Sequence, residues 1–280
     1  AAMAQRPLIS PPWLCLLALC PVTLAPGAST IDSTSKFAYS ANAGWINLRH
    51  DQPSSPNGVV FGEFFLSGHA YGANFGWMDF GDGTPTNGIQ DQNNSATDYG
   101  VNHDGLGNLS GFAYGANIGW INFGWTNTSD PNRPRVNLLT GAFSGFAYGA
   151  NVGWINLGTG NLTTTAMAIT DTDGDGIADE WETTYFTNLT TATAASDFDG
   201  DGVSDKNEYT SGTKPTDLDD YFKIVSTAYN GTMTQATVVF TTDPTRVYRL
   251  ETSDALGLAP DVWTNSAHGT FTRDAGTTTT

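Results

Sequence analysis

A twelve-residue aromatic pattern occurs four times in this chain, and it restricts the fold more than any other feature. The first copy reads Phe37-Ala38-Tyr39-Ser40-Ala41-Asn42-Ala43-Gly44-Trp45-Ile46-Asn47-Leu48, and the others occupy 69–80, 112–123 and 146–157, with Asn-to-Asn spacings of 32, 43 and 34 residues. Spacings of this size mark a supersecondary unit that cannot bury its own apolar face and needs its neighbours. In each copy Ala-Asn-x-Gly is turn chemistry, because Asn bonds its own backbone and Gly takes positive φ without a Cβ clash. Each copy is therefore expected as a β-hairpin. With Asn151, Val152 and Gly153 as the loop, Ala150 pairs with Trp154 and Tyr148 with Asn156. That register puts Phe146, Tyr148, Trp154 and Asn156 on one face, and Ala147, Gly149, Ile155 and Leu157 on the other. Strand-like runs at 58–67, 101–110 and 136–144 precede three copies and extend them into short antiparallel meanders.

Two roles compete for the aromatic face formed by Tyr39, Tyr71, Tyr114, Tyr148 and their Trp partners. Rings beside amides make a sugar-stacking platform, since the rings take apolar sugar faces and the amides take hydroxyls. Alternatively the same rings stack between successive repeats as core, which is the preferred reading because one meander has no interior of its own. Open array, closed propeller and solenoid are all compatible with the repeat. The stretch 111–123, Gly-Phe-Ala-Tyr-Gly-Ala-Asn-Ile-Gly-Trp-Ile-Asn-Phe, resembles a tandem repeat of secreted bacterial proteins. That resemblance implies a surface or extracellular setting and assigns no activity.

Charge is concentrated elsewhere. Lys and Arg number 11 against 28 Asp and Glu, a net −17 that excludes the basic footprint needed for nucleic acid. Residues 171–223 alone hold fourteen of the acids and only three lysines. Within them, Asp171, Asp173, Asp175, Asp179 and Glu182 stand at positions 1, 3, 5, 9 and 12 of an EF-hand loop, with Gly176 at 6 and the Ile177 carbonyl at 7. Asp197, Asp199, Asp201, Asp205 and Glu208 repeat the pattern 26 residues on, with Gly202 and the Val203 carbonyl in place. Ca²⁺ needs about six to eight oxygens at roughly 2.3–2.6 Å, which alternate residues of a tight loop supply. Two Ca²⁺ ions are expected, with Glu182 and Glu208 as bidentate ligands on short helices and Asp179 and Asp205 acting through water.

Neither loop follows an amphipathic helix, so these are loop-then-helix units. Together with Ser211-Gly212-Thr213-Lys214-Pro215-Thr216-Asp217, the segment 171–220 resembles the bacterial thrombospondin type-3 repeat and, more loosely, dockerin. The resemblance implies a structural calcium spacer. Dockerin duplicates are close copies that bind a partner through their helices, whereas here Trp181, Tyr185 and Phe186 face Tyr209 in the other copy.

Residues 1–28 read as a secretory signal, with Arg6 before an apolar run that holds both cysteines, Cys15 and Cys20, so no disulfide is expected in the exported chain. The run is too short to span a bilayer. From 221 onward strand patterns return at 222–225, 236–240, 247–251 and 262–264, resembling an incomplete sandwich module. His50, His69, His103 and His268 share no repeat position and read as surface residues. The repeat region 36–160 holds a single Glu, Glu63, and neither nucleophile, phosphate-loop nor dinucleotide motifs occur.

The expectation is thus a mainly β chain: leader (1–28), four-copy antiparallel β-repeat array (29–162), two-loop calcium spacer (163–220) and partial β-sandwich-like module (221–280). It is expected to be a secreted or cell-surface, non-catalytic, structural or adhesive protein without a transmembrane span. Its partners are calcium and either polysaccharide or another surface protein, with carbohydrate binding through the Tyr/Trp face as the alternative function.

Overall fold

The computed structural model describes residues 21–22, 29–49, 58–232, 236–246, 248–252 and 264–271. The leader therefore lies outside the described residues, cysteines included, apart from Pro21–Val22, which pairs in parallel with Met167–Ala168. The chain is mainly β and divides into two compact units, one spanning Leu17–Thr193 and the other containing Ala194–Thr280.

In the first unit the four copies form four hairpins: β1 (Ile31–Ser40) with β2 (Gly44–Asn47), β3 (His69–Gly72) with β4 (Gly76–Asp79), β5 (Leu109–Gly115) with β6 (Gly119–Asn122), and β7 (Phe146–Gly149) with β8 (Gly153–Asn156). Each hairpin also pairs with the next, and β8 returns to β1 through Ile155↔Ser40 and Asn156↔Tyr39. The result is a closed, eight-stranded, antiparallel up-and-down barrel with fourfold pseudo-symmetry, an architecture outside the three options the repeat suggested. Closure removes every free strand edge.

The register corrects the expected loop. Tyr148 pairs with Trp154 and Gly149 with Gly153, so the turn is Ala150-Asn151-Val152 and Gly153, at φ 68°, opens the returning strand. The expected pairing was displaced by two residues, which leaves every side chain on its expected face.

Those faces are occupied in the opposite sense from the preferred reading. Ala38, Ala70, Ala113 and Ala147 point inward opposite Ile46, Met78, Ile121 and Ile155, above a layer of Leu48, Phe80, Phe123 and Leu157, all at most 2% exposed. The Tyr and Trp rings stand outside, 36 to 55% exposed. An eight-stranded barrel has an interior just wide enough for side chains to fill, so the mid-barrel layer pairs each alanine with one larger aliphatic residue and the Tyr–Trp pairs are left on the outer face.

The hairpin tips close one end. Ala43, Phe75, Ile118 and Val152 fold in as a buried plug. Around them each turn Asn donates from Nδ2 to the preceding hairpin: Asn74 to Ala43 O (3.1 Å), Asn117 to Phe75 O (2.9 Å), Asn151 to Ile118 O (3.0 Å) and Asn42 to Val152 O (3.4 Å). The repeated Asn thus ties the ring of hairpins together. Plug size is matched beneath. A Cβ on Gly72 would lie 2.1 Å from the Phe75 ring, and on Gly115 2.6 Å from Ile118. Copy one carries Ser40 at this position and only Ala43 in the plug, and the Ser40 hydroxyl donates to Val152 O at 2.8 Å.

The upstream runs form the expected short pairings, Val60–Phe61 with Phe65–Ser67, Val101–His103 with β5, and Arg135–Val136 with Phe143–Ser144. They extend one continuous core from Ile31 to Leu162. Chain entrance and exit meet there, where the Thr165 N–H donates to Thr30 O at 2.9 Å.

His103 is no surface residue. It is 1% exposed, its ring lies 4.8 Å from Phe61, Nδ1 faces Glu63 O at 2.7 Å and Nε2 accepts the Gly107 N–H at 3.0 Å. That arrangement needs the neutral ring, and burial lowers its pKa despite the opposing pull of the Glu63 carbonyl bond and the Asp104 and Glu63 charges. Because the folded state resists protonation, stability contributed here is present above the ordinary value of about 6.5 and is lost as pH falls below it. Thermal melts with saturating calcium should show a steeper acid loss for wild type than for His103→Gln. Equal slopes would disprove that role.

The second unit holds two antiparallel pairs, Ile224–Tyr229 with Ala236–Phe240 and Tyr248–Thr252 with Thr264–Phe271. The last strand runs further than the 262–264 that the sequence marked. Phe222 stacks on Tyr248 at 5.6 Å, and Tyr248 donates to Ser211 O at 2.8 Å, which fixes the helix Asp205–Ser211 to these strands.

Candidate metal centres

The two acidic loops are built alike from the backbone outward. In the first, Asp171 accepts from Gly174 N–H (2.8 Å) and Gly176 N–H (3.0 Å), and Asp175 accepts from Ile177 N–H (2.8 Å). In the second, Asp197 accepts from Gly200 and Gly202 at the same distances, and Asp201 accepts from Val203 N–H at 2.7 Å. Gly174 and Gly200 have φ near 78°, so position 4 needs glycine as much as position 6 does, a requirement the motif had not singled out.

This frame gathers the ligands. Carboxylate oxygens of Asp171, Asp173 and Asp175 lie within 4.8 Å of one another, and so do those of Asp197, Asp199 and Asp201. Helices α1 (Asp179–Phe186) and α2 (Asp205–Ser211) carry Glu182 and Glu208, which lie outside the three-aspartate groups, are both 0% exposed and feel the charges of their loop's aspartates. Each loop is closed at its base by one backbone bond, Asp179 N–H to Thr170 O and Asp205 N–H to Ser196 O, both 2.8 Å.

Position 9 is used differently. Asp179 accepts from the Thr172 backbone and hydroxyl, and Asp205 from Phe198 N–H (3.0 Å) and the Ser196 hydroxyl (2.6 Å). Both lie outside the three-aspartate groups and hold the start of each loop to its helix. Ile177 is fully buried and anchors its loop, while Val203 is half-buried.

The electrostatics of the metal-free loops are unfavourable. Both carboxylate oxygens of Glu182 are buried without a hydrogen-bond partner, as are Glu208 Oε2, Asp199 Oδ2 and Asp201 Oδ2. Burial, then the charges of Asp175, Asp173, Asp179 and Asp171, push Glu182 up to about 7. Burial, then Asp199, Asp201 and Asp205, push Glu208 up to about 8. Buried carboxylates without partners call for a cation. All-oxygen donors at alternating positions fit a hard divalent ion, and Ca²⁺ in particular.

Comparison with known families, curated proteins and solved structures gives no match. Function is therefore argued from the sites themselves. Among the described residues no helix is long and apolar enough to cross a membrane.

The barrel exterior is a second candidate. Each hairpin carries a Tyr–Trp pair with centroids 4.8 to 5.0 Å apart, and the neighbouring Asn or Asp caps a turn: Asn47, Asp79, Asn122 and Asn156 accept from Arg49, Gly81, Gly124 and Gly158 N–H respectively. These side-chain oxygens serve the fold first. Tyr99, which the sequence reading passed over, lies 4.9 Å from Trp120, and its position between copies was signalled by the long 43-residue spacing.

Proposed function

We propose that this chain is an exported, non-catalytic calcium-binding protein in which two Ca²⁺ ions fix the loops that carry α1 and α2, and in which the β-barrel serves a structural or adhesive role at the cell surface. The observation that carries this reading is the pair of fully buried glutamates, Glu182 and Glu208, each held in the negative field of its own loop's aspartates. When bound, Ca²⁺ would neutralise those carboxylates. Asp171, Asp173, Asp175 and Glu182 would hold one ion, and Asp197, Asp199, Asp201 and Glu208 the other.

Calorimetric titration of the full chain with Ca²⁺ is expected to give two sites, at roughly 10⁻⁴ to 10⁻³ M if they behave as extracellular modules do. At pH 6 Glu182 and Glu208 hold their protons in the metal-free chain, so binding should release up to about one proton per loop, read from the dependence of the heat on buffer. A stoichiometry other than two, or heats independent of buffer, would count against the assignment.

Outward-facing rings also favour carbohydrate binding over the core role. The eight half-exposed rings are paired on every hairpin rather than scattered singly, which is the pattern of an interaction surface.

A further inference from the structure

The outer face of the barrel obeys a fourfold rule. Phe37, Phe112 and Phe146 stand directly across from Asn47, Asn122 and Asn156. Hairpin β3–β4 breaks the rule on both strands at once, with His69 across from Asp79. His69 Nε2 lies 3.9 Å from Asp79 Oδ2. The long connection after this hairpin adds a third polar group at the same place, where the Tyr99 hydroxyl donates to Asp79 Oδ2 at 2.9 Å.

The turn cap does not require the carboxylate of Asp79. Asparagine makes the same capping bond in the other hairpins. Burial raises the pKa of Asp91, Asp79 adds its charge to those of Asp98 and Asp82 in the same direction, and neither Lys nor Arg occurs in the sequence between Arg49 and Arg133. His69 Nδ1 is screened from solvent and lacks a hydrogen-bond partner among the described residues. Beside these groups stand two exposed indoles, Trp77 at 6.2 Å from the His69 ring and Trp120 at 4.9 Å from Tyr99.

We propose that His69, Asp79 and Tyr99, between Trp77 and Trp120, form a subsite for a hexose unit of an uncharged polysaccharide. The proposal rests on reading the aromatic belt as a carbohydrate surface. A sugar ring stacks its apolar face on one indole while the Asp79 carboxylate and His69 Nε2, 3.9 Å apart, take hydroxyls at its edge. The clustered aspartates repel uronic or sulfated sugars. An organic cation needs rings closing around it, and these rings stand on the convex outside of a barrel. Burial and the bond to Asp79 hold the Tyr99 hydroxyl far above its ordinary range, so it remains a donor.

The test uses the full chain with saturating calcium, in affinity electrophoresis and calorimetry against hydroxyethylcellulose, galactomannan, alginate and choline. His69→Phe with Asp79→Asn installs the residues of the other three hairpins and so preserves folding, which circular dichroism checks. Wild type should bind an uncharged polymer and neither alginate nor choline. The double variant should bind about tenfold more weakly, the loss of one or two hydrogen bonds, while Trp154→Ala in the last hairpin should bind as wild type. Binding that survives the double variant but is lost in Trp154→Ala would overturn the subsite and leave the carbohydrate surface standing. Binding of choline or alginate would overturn the ligand class, and no binding to any uncharged polymer would overturn both readings.

Discussion

Glu182→Gln is expected to abolish calcium binding at the first loop and leave the second at full affinity, with Glu208→Gln giving the mirror result. Each glutamate is the fully buried carboxylate of its helix that feels the charges of its loop's aspartates, and it is the ligand the helix would supply. Replacing it by an amide removes a charge and the bidentate contact. The loss should exceed the 10–100-fold that even an outer-shell change costs. Calorimetry of the two variants should return one site apiece. The metal-free chain should respond with the opposite sign. A carboxyl whose folded pKa is raised to about 7 is stabilising while protonated, and that contribution is lost as pH rises from about 4.5 through 7. Without calcium the melting temperature of wild type should therefore fall across this window more steeply than that of Glu182→Gln. With calcium the ranking should invert, because only wild type gains linkage at the first loop, while both proteins gain it at the second. A variant that still binds two ions would refute the assignment of Glu182.

Gly72→Ser is expected to destabilise the barrel, and Phe75→Ala to relieve much of the effect. The added Cβ collides with the Phe75 ring inside a closed wall that cannot spread, so a penalty of roughly 1–3 kcal/mol is anticipated. The first hairpin shows the solution already in use: Ser40 is accommodated over Ala43, the smallest residue of the plug, whose N–H donates to the Ser40 hydroxyl. A double-mutant cycle by urea denaturation should thus show favourable coupling on the order of 1 kcal/mol between residues 72 and 75. Additive effects would mean that the interior relaxes freely at the tip, contrary to the matched packing of the four copies.

The hairpins and their two faces were legible because alternation along a strand assigns faces even when the loop is misplaced by two residues. Which face is buried was not legible. Alternation groups Tyr148 with Trp154 and Ala147 with Ile155, but the choice between them follows from closing eight strands into a ring. The uniformly small Ala38, Ala70, Ala113 and Ala147 were the sign of a narrow interior. The clustering of Asp171, Asp173 and Asp175, and of Asp197, Asp199 and Asp201, was legible residue by residue, since the groups are local in sequence. The frame-building use of Asp179 and Asp205 was not, because it depends on where Thr172 and Ser196 fall in space. Nor was the site around His69 and Asp79, which shows only as departures from a pattern whose meaning the barrel supplies.

The backbone bond between Thr30 and Thr165 has a consequence for how such a barrel is inherited. A ring of hairpins that leaves where it enters is a cassette. It can be spliced into a surface loop of another chain without prising the flanking residues apart, and it can be reopened at any hairpin tip with its old ends joined. The number of copies is not free in the same way. An open array tolerates the gain or loss of a unit at its end, whereas a fifth hairpin here would widen the bore beyond what alanine and isoleucine fill. Recombination among the copies is therefore held to exchanges that keep the count at four.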